Sequence, residues 1–212
     1  MKKIILMLVV IIGISASSNA QSAKKDNASN FHFGIKAGLN VSNVYDTKGE
    51  DFVAKAKAGV AIGAFAQIPL GSIIGVHPEI LYSQKGFKGT GKILGSPYSY
   101  TRTTDYLDIP ILLAIKPVEI LTLVVGPQYS FLLKEKNVFE NTLFTSVQEQ
   151  QFSNDNIRKN TLSFIGGADV NFDKLLIGLR AAWDVQNNAG DGTNNTPRYK
   201  NVWYQATIGY RF

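Results

Sequence analysis

The sequence predicts an all-β fold: an eight-stranded antiparallel up-and-down transmembrane β-barrel, preceded by a cleaved signal peptide. Three observations lead to this prediction. An apolar run follows two lysines at the N-terminus, eight later segments alternate apolar and polar residues at a period of two, and the gaps between those segments alternate between long and short. After residue 20 the sequence shows neither a sustained helical period nor an apolar stretch long enough for a membrane-spanning helix.

The first twenty residues have the three parts of a secretory signal peptide. Lys2 and Lys3 precede the apolar run IILMLVVIIGI, and Ser18 and Ala20 are the small residues that a signal peptidase reads. The run is shorter than the ~20 residues of a transmembrane helix, although an uncleaved N-terminal anchor helix is the alternative. We therefore assign residues 1–20 to a signal peptide, 21–31 to a short periplasmic N-terminal segment and 32–212 to an outer-membrane β-barrel domain.

The mature chain has a composition typical of an exported protein without disulfides. It contains no cysteine, so the fold must be stabilised by other interactions. Without the two signal-peptide lysines, 20 of the 22 basic residues are left against 16 acidic ones. This excess is spread along the chain without a basic block, and we expect no nucleic-acid partner.

Eight segments have the period-two alternation of strands. They are residues 32–42, 57–70, 73–87, 100–116, 119–133, 160–173, 175–186 and 200–212. The gaps alternate between long loops and the tight turns LGSI, KPVE and NFDK, as in outer-membrane barrels with long extracellular loops and short periplasmic turns. We expect the tight turns and both termini on the periplasmic side, and the eighth strand paired with the first so that no edge is left open.

The two faces of the predicted strands differ in a way that suits a narrow barrel. Nearly all strand glycines lie on the polar face, which is expected if that face points into a lumen with little room for side chains. The aromatic residues of the apolar face form two groups at the spacing of membrane girdles. Phe33, Phe172, Tyr210 and Phe212 lie near the tight turns, and Tyr82, Tyr129, Phe131, Trp183 and Tyr204 lie near the opposite strand ends.

Three prolines interrupt this pattern. Pro78, Pro110 and Pro127 lie inside predicted strands, where each removes a backbone donor from the ladder. We expect a bulge or a local break at each of them. Phe65 and Trp203 also fall on the inward face, so the lumen is not expected to be purely polar.

The inward face carries a nearly balanced set of charges. Its members are Lys36, His77, Glu79, Asp108, Asp169, Arg180, Asp184 and Arg211. Buried charges are costly unless they are paired, so we predict a structural polar network across the lumen, with Arg180 contacting Glu79 or Asp108. A proton or ion path is the functional alternative. Diffusion of solutes is not expected, because only much larger barrels leave an aqueous channel.

No catalytic, cofactor or metal site is predicted. His32 and His77 are the two histidines, and neither stands at a recognisable motif spacing from a serine and an acid. The sequence alone leaves open a hydrolase of the outer-membrane type, whose Ser/His/acid set would come from different strands. The loop segments NDN (154–156) and DGTNN (191–195) offer oxygen ligands but lack an EF-hand spacing. We therefore predict a protein that is not an enzyme.

Several stretches resemble one family of barrels. GIKAGLNVSNV, HPEILYSQKGF, YLDIPILLAIKP, VGPQYSFLL, SFIGGADVNF and IGYRF together look like the PorT-like outer-membrane β-barrel family, also called the outer membrane protein beta-barrel domain. The resemblance covers nearly the whole mature chain. It implies an integral barrel surrounded by outer-membrane lipid in a Gram-negative bacterium, and it implies that in-strand prolines are a family habit. The namesake of the family is linked to type IX secretion, so an accessory role in secretion is one implied function.

The last strand also resembles an assembly signal. Tyr210 and Phe212 are alternate apolar residues ending on phenylalanine, which is similar to the C-terminal pattern read by the barrel-assembly machinery. Thr207 stands where that pattern usually has glycine. We therefore predict the assembly machinery as a partner during biogenesis.

Two classes of function are left. The leading hypothesis is an outer-membrane barrel that acts structurally or binds an unknown protein partner through its long loops, chiefly the loop 134–159. The rival is a soluble lipocalin-like barrel that binds an apolar ligand, which requires the apolar face to point inward. The polar face has fewer charges than a water-exposed face usually carries, which favours the membrane protein.

Overall fold

A computed structural model of the chain describes residues 31–45, 53–93, 96–141, 145–150, 160–186 and 199–212. The predicted signal peptide, residues 21–30 and the segments 154–156 and 191–195 lie outside these ranges. Within them the strands are β1 (His32–Tyr45), β2 (Val53–Pro69), β3 (Ile74–Ile93), β4 (Ser96–Val118), β5 (Leu121–Asn141), β6 (Thr145–Gln150), β7 (Asn160–Phe172), β8 (Leu175–Asp184) and β9 (Lys200–Arg211). A search of the same residues for a helix that could cross a bilayer found none.

Eight of these strands close into an antiparallel up-and-down ring. The order around the ring is β1, β2, β3, β4, β5, β7, β8 and β9, and β9 pairs with β1 from Arg211↔Gly34 to Lys200↔Tyr45. The predicted closure of the last strand on the first is confirmed. The tight turns β2–β3, β4–β5 and β7–β8 lie at the same end of the barrel as the start of β1 and the end of β9. We call this the turn end, and the opposite one the loop end.

The apolar face of the strands points outward. Leu39 and Ile208 are 59% and 64% exposed, whereas Asn40 and Asp108 on the inner face are fully buried. A water-soluble barrel would bury the large apolar side chains and expose the polar ones. The lipocalin-like alternative is therefore wrong, because its apolar ligand would meet a lumen lined with charged and amide groups.

Small inward residues make room for large ones. The ring of Phe65 lies over β1, where a Cβ added to Gly34 would meet the Tyr210 carbonyl oxygen and lie 2.5 Å from a Phe65 ring carbon. At Gly209 an added Cβ would lie 3.2 Å from the same ring. The predicted clustering of glycine on the inward face thus has a steric cause, since a filled eight-stranded lumen has no space for both side chains.

The outward aromatic residues form two groups, as predicted. At the turn end Phe33 and Phe212 have ring centroids 5.3 Å apart, and Phe212 donates its backbone N–H to the Phe33 carbonyl at 2.9 Å. At the other group Tyr129 packs edge-on against Phe131, with centroids 4.9 Å apart. The outer surface between these groups is apolar, as in the lipid-facing band of a membrane barrel.

One side of the barrel is much taller than the other. β3, β4 and β5 have 20, 23 and 21 residues, whereas β7, β8 and β9 have 13, 10 and 12. The predicted long loops at 88–99 and 134–159 are therefore wrong in part, because much of each continues as strand. β6 pairs with the upper half of β5, from Glu135↔Gln150 to Glu140↔Thr145, where β7 does not reach. We call this extension of β2 to β6 the tall wall.

Bulges shift the register at sites other than Pro78, Pro110 and Pro127. One extra residue on β5 lies between the pairs Tyr106↔Leu132 and Asp105↔Lys134. Another extra residue on β2 lies between Ala56 and Ala61. Such a bulge exchanges the inward and outward positions of the strand beyond it.

The prolines interrupt pairing without changing register. Pairing of β3 with β4 stops after Pro78↔Ile111 and resumes three residues on, and pairing of β4 with β5 does the same after Pro110↔Gln128. Pro127 pairs with Phe164 in an unbroken ladder with β7. The expected local break is thus found next to Pro78 and Pro110, but no bulge occurs at any of the three.

Candidate functional site: the charged lumen and the tall wall

Four of the predicted lumen residues form one buried ion cluster nearest the turn end. Lys36 Nζ lies 2.7 Å from Glu79 Oε1, and Arg180 Nη2 lies 3.3 Å from the same oxygen. Arg180 also binds Asp169 through two bonds, Nη1 to Oδ1 at 2.6 Å and Nη2 to Oδ2 at 3.2 Å. Two cations therefore face two carboxylates, and this lumen cluster has no net charge.

The sequence places this cluster through strand register. Lys36 on β1, Glu79 on β3, Asp169 on β7 and Arg180 on β8 occupy inward positions of four different strands. A glycine makes the space, because a Cβ added at Gly178 would lie 2.7 Å from Asp169 Oδ1. Arg180 contacts Glu79, one of the two partners expected for it, whereas Asp108 has another partner.

A second ion pair lies further toward the loop end. Lys85 Nζ is 3.0 Å from Asp108 Oδ1 and 2.9 Å from Oδ2. The same ammonium lies 3.8 Å from the ring centroid of Trp203 and 4.8 Å from that of Tyr106. Aromatic faces attract a desolvated cation, so the carboxylate and the two rings together replace the water that Lys85 loses.

A third pair lies where the tall wall leaves the ring. Arg102 Nη2 is 2.6 Å from Glu135 Oε1, and the guanidinium lies 5.6 Å from the centre of the Tyr199 ring. Asn137 donates to the same Glu135 oxygen at 2.6 Å and accepts a bond of 2.6 Å from the Tyr100 hydroxyl. Along β3 and β4, these three ion sites follow one another from the turn end to the loop end.

The other predicted lumen residues are placed differently. His77 is buried on the same face of β3 as Glu79, two residues closer to the turn end. Asp184 is buried and accepts bonds from Ser163 Oγ at 2.7 Å and from the Asn201 side chain at 2.6 Å. Arg211 is half-exposed at the mouth of the turn end, where it donates to Gln67 Oε1 and to the Asp173 backbone carbonyl. Arg211 thus contacts two neutral oxygens.

Three residues of the ion pairs, Lys85, Arg102 and Glu135, are not among the lumen residues predicted from the sequence. Lys85 and Arg102 lie on the inward parity of their predicted strands, so the same alternation that found Glu79 and Asp108 could have found them. Glu135 could not be found in this way, because the bulge on β5 turns it from the outward to the inward face. Only the pairing with β4 reveals that shift.

Apolar side chains fill the lumen between and beside the ion pairs. They form a buried cluster on the inner face of β4, β5, β7, β8 and β9, consisting of Leu112, Ala114, Val124, Ile165, Ala182 and Trp203. Trp203 is fully buried and contacts Lys85, which joins the apolar cluster to the second ion pair. In the part of the chain that the structure covers, no group of three or more His, Asp and Glu side chains is arranged to hold a metal ion.

The tall wall carries aromatic pairs above the ring. Tyr98 and Phe139 stack across β4 and β5 with centroids 5.3 Å apart. Phe87 packs edge-on against Tyr199 at 5.1 Å, with Val44 in the same cluster. The residues predicted to bind a partner, 134–159, include the β5–β6 hairpin, which therefore presents an ordered sheet and not a loop.

A closed ring with an outward apolar face and a charged, filled lumen is the architecture of a membrane barrel. The family model of the outer membrane protein beta-barrel domain matches residues 19–188. The chain belongs to this family. Membership places the protein in the outer membrane of a Gram-negative bacterium, and it confirms the general family that the sequence resembles.

The solved structures to which the chain is similar are distant in sequence. Ail, the attachment invasion locus protein of Yersinia pestis, is 13% identical over 85% of this chain and 98% of its own, with a TM-score of 0.46. Neisserial surface protein A is 9% identical over 85% and 97%, with a TM-score of 0.48. The outer membrane protease OmpT of Escherichia coli is 12% identical over 92% and 100%, with a TM-score of 0.38. No curated protein matches the chain.

Proposed function

We propose that this protein is a non-conducting, non-enzymatic outer-membrane barrel that acts structurally or by binding at its loop end. The observation that carries the proposal is the filled lumen, in which three ion sites follow one another along the barrel axis and an apolar cluster packs beside them. Each site has a cation within hydrogen-bond distance of a carboxylate, and the side chains of the five ion pairs are at most 7% exposed.

Buried ion pairs with balanced charge oppose the passage of an ion through the lumen. An ion that crosses such a lumen has to break a pair and leave a partner charge uncompensated in a medium of low dielectric constant, which costs several kcal/mol. An eight-stranded barrel has little space for a hydrated ion beside its own side chains. The predicted network of Lys36, His77, Glu79, Asp108, Asp169, Arg180, Asp184 and Arg211 is therefore proposed to be structural.

The orientation proposed for the barrel puts the turn end in the periplasm. Short turns on the periplasmic side and long connections outside are general in bacterial outer-membrane barrels. A signal peptide at residues 1–20 and periplasmic termini belong to the same proposal. In this orientation the tall wall stands outside the cell, where the β5–β6 hairpin is available to a protein partner.

A narrower role in secretion rests on the sequence resemblance alone. The PorT-like relatives suggest an accessory component of type IX secretion, and the hairpin of residues 134–150 is the segment through which such a component would meet a protein partner. Removal of the hairpin in the host, followed by measurement of secreted proteins, tests this alternative.

Ion flux through the refolded protein tests the main proposal. The full mature chain is folded into lipid vesicles loaded with a fluorescent ion indicator, and its folded state is checked by the shift of the unboiled band in a detergent gel. We expect no ion flux above that of empty vesicles, whereas a 16-stranded porin at the same density should release the gradient at once. Single-channel steps in a planar bilayer from a folded, purified sample would refute the closed lumen.

A further inference from the structure

Five lysines lie together on the outer surface of the tall wall. They are Lys55 and Lys57 on β2, Lys88 on β3, and Lys134 and Lys136 on β5. On β3 and β5 the lysines alternate with buried inward neighbours such as Phe87 and Glu135, so they point away from the barrel axis. Lys55 shares this outer face because it is the register partner of Lys88, and Lys57 is half-buried within the β2 bulge. We call this group the lysine patch. Asp105 on β4 is the register partner of Lys134, Glu149 on β6 is the register partner of Lys136, and Glu140 lies further along β5. Five lysines therefore share this part of the sheet with three carboxylates, and the excess positive charge lies around Lys55, Lys57 and Lys88.

The patch contains a like-charge pair that the fold does not compensate. Lys55 and Lys88 are register partners, directly opposite each other on β2 and β3, and both side chains are exposed. Residues directly opposite have Cβ atoms about 4.5–5.5 Å apart, at which like charges destabilise a sheet. Among the residues that the structure describes, neither lysine forms an ion pair with a carboxylate. Such a pair is stabilised by an anion bound from outside.

The depth of the patch identifies the kind of anion. On β3 the outward residues Ile80 and Tyr82 belong to the apolar band, and Lys88 follows six residues beyond Tyr82 toward the loop end. The lysines thus lie just above the aromatic group of the loop end, at the level where lipid headgroups begin. The register spreads the patch over four neighbouring strands, about 15 Å across.

An apolar groove lies directly below the patch on the same outer surface. It has a volume of about 650 Å³ and passes between Tyr82 near the loop end and Tyr210 near the turn end. The surface is recessed at Ala37, Gly63 and Ala64, because these residues have a small side chain or none. The cationic patch is complementary to an anionic headgroup, and the apolar groove is complementary to an acyl chain. One amphipathic lipid carries both groups.

We propose that the lysine patch and this groove bind a phosphorylated glycolipid of the outer leaflet, with the phosphates on the lysines and an acyl chain in the groove. The inference rests on the proposed orientation, in which the loop end is extracellular. The tall wall then has a membrane-facing role, because it carries the lysine patch beyond the apolar band.

Lipid retention in native mass spectrometry tests the assignment. The mature chain is folded in micelles with lipid A, with lipid A that has been enzymatically dephosphorylated, or with the soluble phosphorylated disaccharide. We expect selective retention of intact lipid A. The double variant Lys55→Gln/Lys88→Gln should weaken this retention about 30-fold, because each lysine near an anionic lipid surface contributes a factor of about five. The control Lys116→Gln/Lys174→Gln removes the same charge at the turn end and should retain lipid A like the wild type.

The outcomes separate this inference from the proposed function. Equal retention of dephosphorylated lipid A, or unchanged retention by the Lys55/Lys88 variant, would overturn the phosphate site. Equally tight binding of the soluble disaccharide would overturn the membrane-lipid source. Loss of retention in the turn-end control would instead show that the orientation is inverted. A conducting wild-type barrel refutes the closed lumen without bearing on the lysines, which lie on the outer surface.

Discussion

Replacement of Ile177 by arginine tests the assignment of the barrel faces in the most direct way. Ile177 is an outward residue of β8, 44% exposed on the isolated chain, and pairs with Val170 on β7 and Ile208 on β9. In the membrane its side chain faces acyl chains. An arginine at this position would point away from the lumen, so it could not pair with the lumen carboxylates that the structure describes.

The magnitude follows from the depth of the residue. Along β9, Phe212 marks the turn end of the apolar band and Val202 pairs with Trp183 at the other aromatic group. These ten residues rise about 26 Å when a strand of ~3.4 Å per residue is tilted by about 40°, which matches a lipid-facing band of ~25 Å. Ile208 is within one residue of the midpoint of β9, whereas its partner Ile177, the third residue of β8, lies two residues inside the turn end of the band at Leu175. An arginine costs about 2–4 kcal/mol at the midplane and about 0–1 kcal/mol near an interface, so Ile177→Arg should cost about 2 kcal/mol of folding free energy, the lower end of the midplane range.

Equilibrium unfolding in urea, in the presence of lipid vesicles, measures this cost. Trp183 faces lipid and Trp203 lies in the lumen, so tryptophan fluorescence reports both surfaces. Leu175→Arg is the matched control on the same strand and face, level with Tyr210 near the interface, where the expected cost is about 0–1 kcal/mol. A loss at Ile177 no larger than that at Leu175 would refute the membrane depth assigned here.

Two further predictions concern the lumen and the last residue. Glu79→Gln leaves the two cations Lys36 and Arg180 with Asp169 as their one remaining carboxylate, so it should lower the free energy of unfolding by about 3–5 kcal/mol in the same assay. The control Glu119→Gln, in an exposed turn, should change the free energy of unfolding by less than about 0.5 kcal/mol. Equal effects of the two variants would contradict a buried network. Deletion of Phe212 removes a predicted assembly signal and two aromatic contacts, with Phe33 and Tyr210, so the heat-shifted band in outer membranes should decrease. Undiminished assembly would remove the signal hypothesis and leave β9 in place.

The sequence predicted the membrane-embedded half of the barrel well because lipid imposes a strict alternation there. Lys36, Glu79, Asp169 and Arg180 were all found from parity, and they meet in one cluster because their strands are brought together by the closed ring. The alternation within a strand predicts which face a residue occupies, but it does not predict which residues of the other strands lie at the same height. That is why Asp108 was a candidate partner for Arg180 until the register assigned it to Lys85.

The sequence predicted the tall wall poorly, for two physical reasons. Above the membrane both faces of a strand can meet water or polar neighbours, so a segment such as KGTGK in β3 lacks the alternation that marks a strand. In addition, the bulge on β5 reverses the inward and outward positions before Glu135. The residues at the bulge do not have a sequence pattern from which it could be predicted. Strands that continue past a bulge into water therefore resemble loops in the sequence.

The pairing of charges in the lumen has an electrical consequence. A field across the membrane does work only on charge that moves along it, about 2.3 kcal/mol per elementary charge and 100 mV. Lys36 and Glu79, or Lys85 and Asp108, lie within 3 Å of each other, so any shared displacement carries almost no net charge. Each of these pairs acts as a compensated dipole, so their contribution to stability should be the same at any potential that the outer membrane sustains.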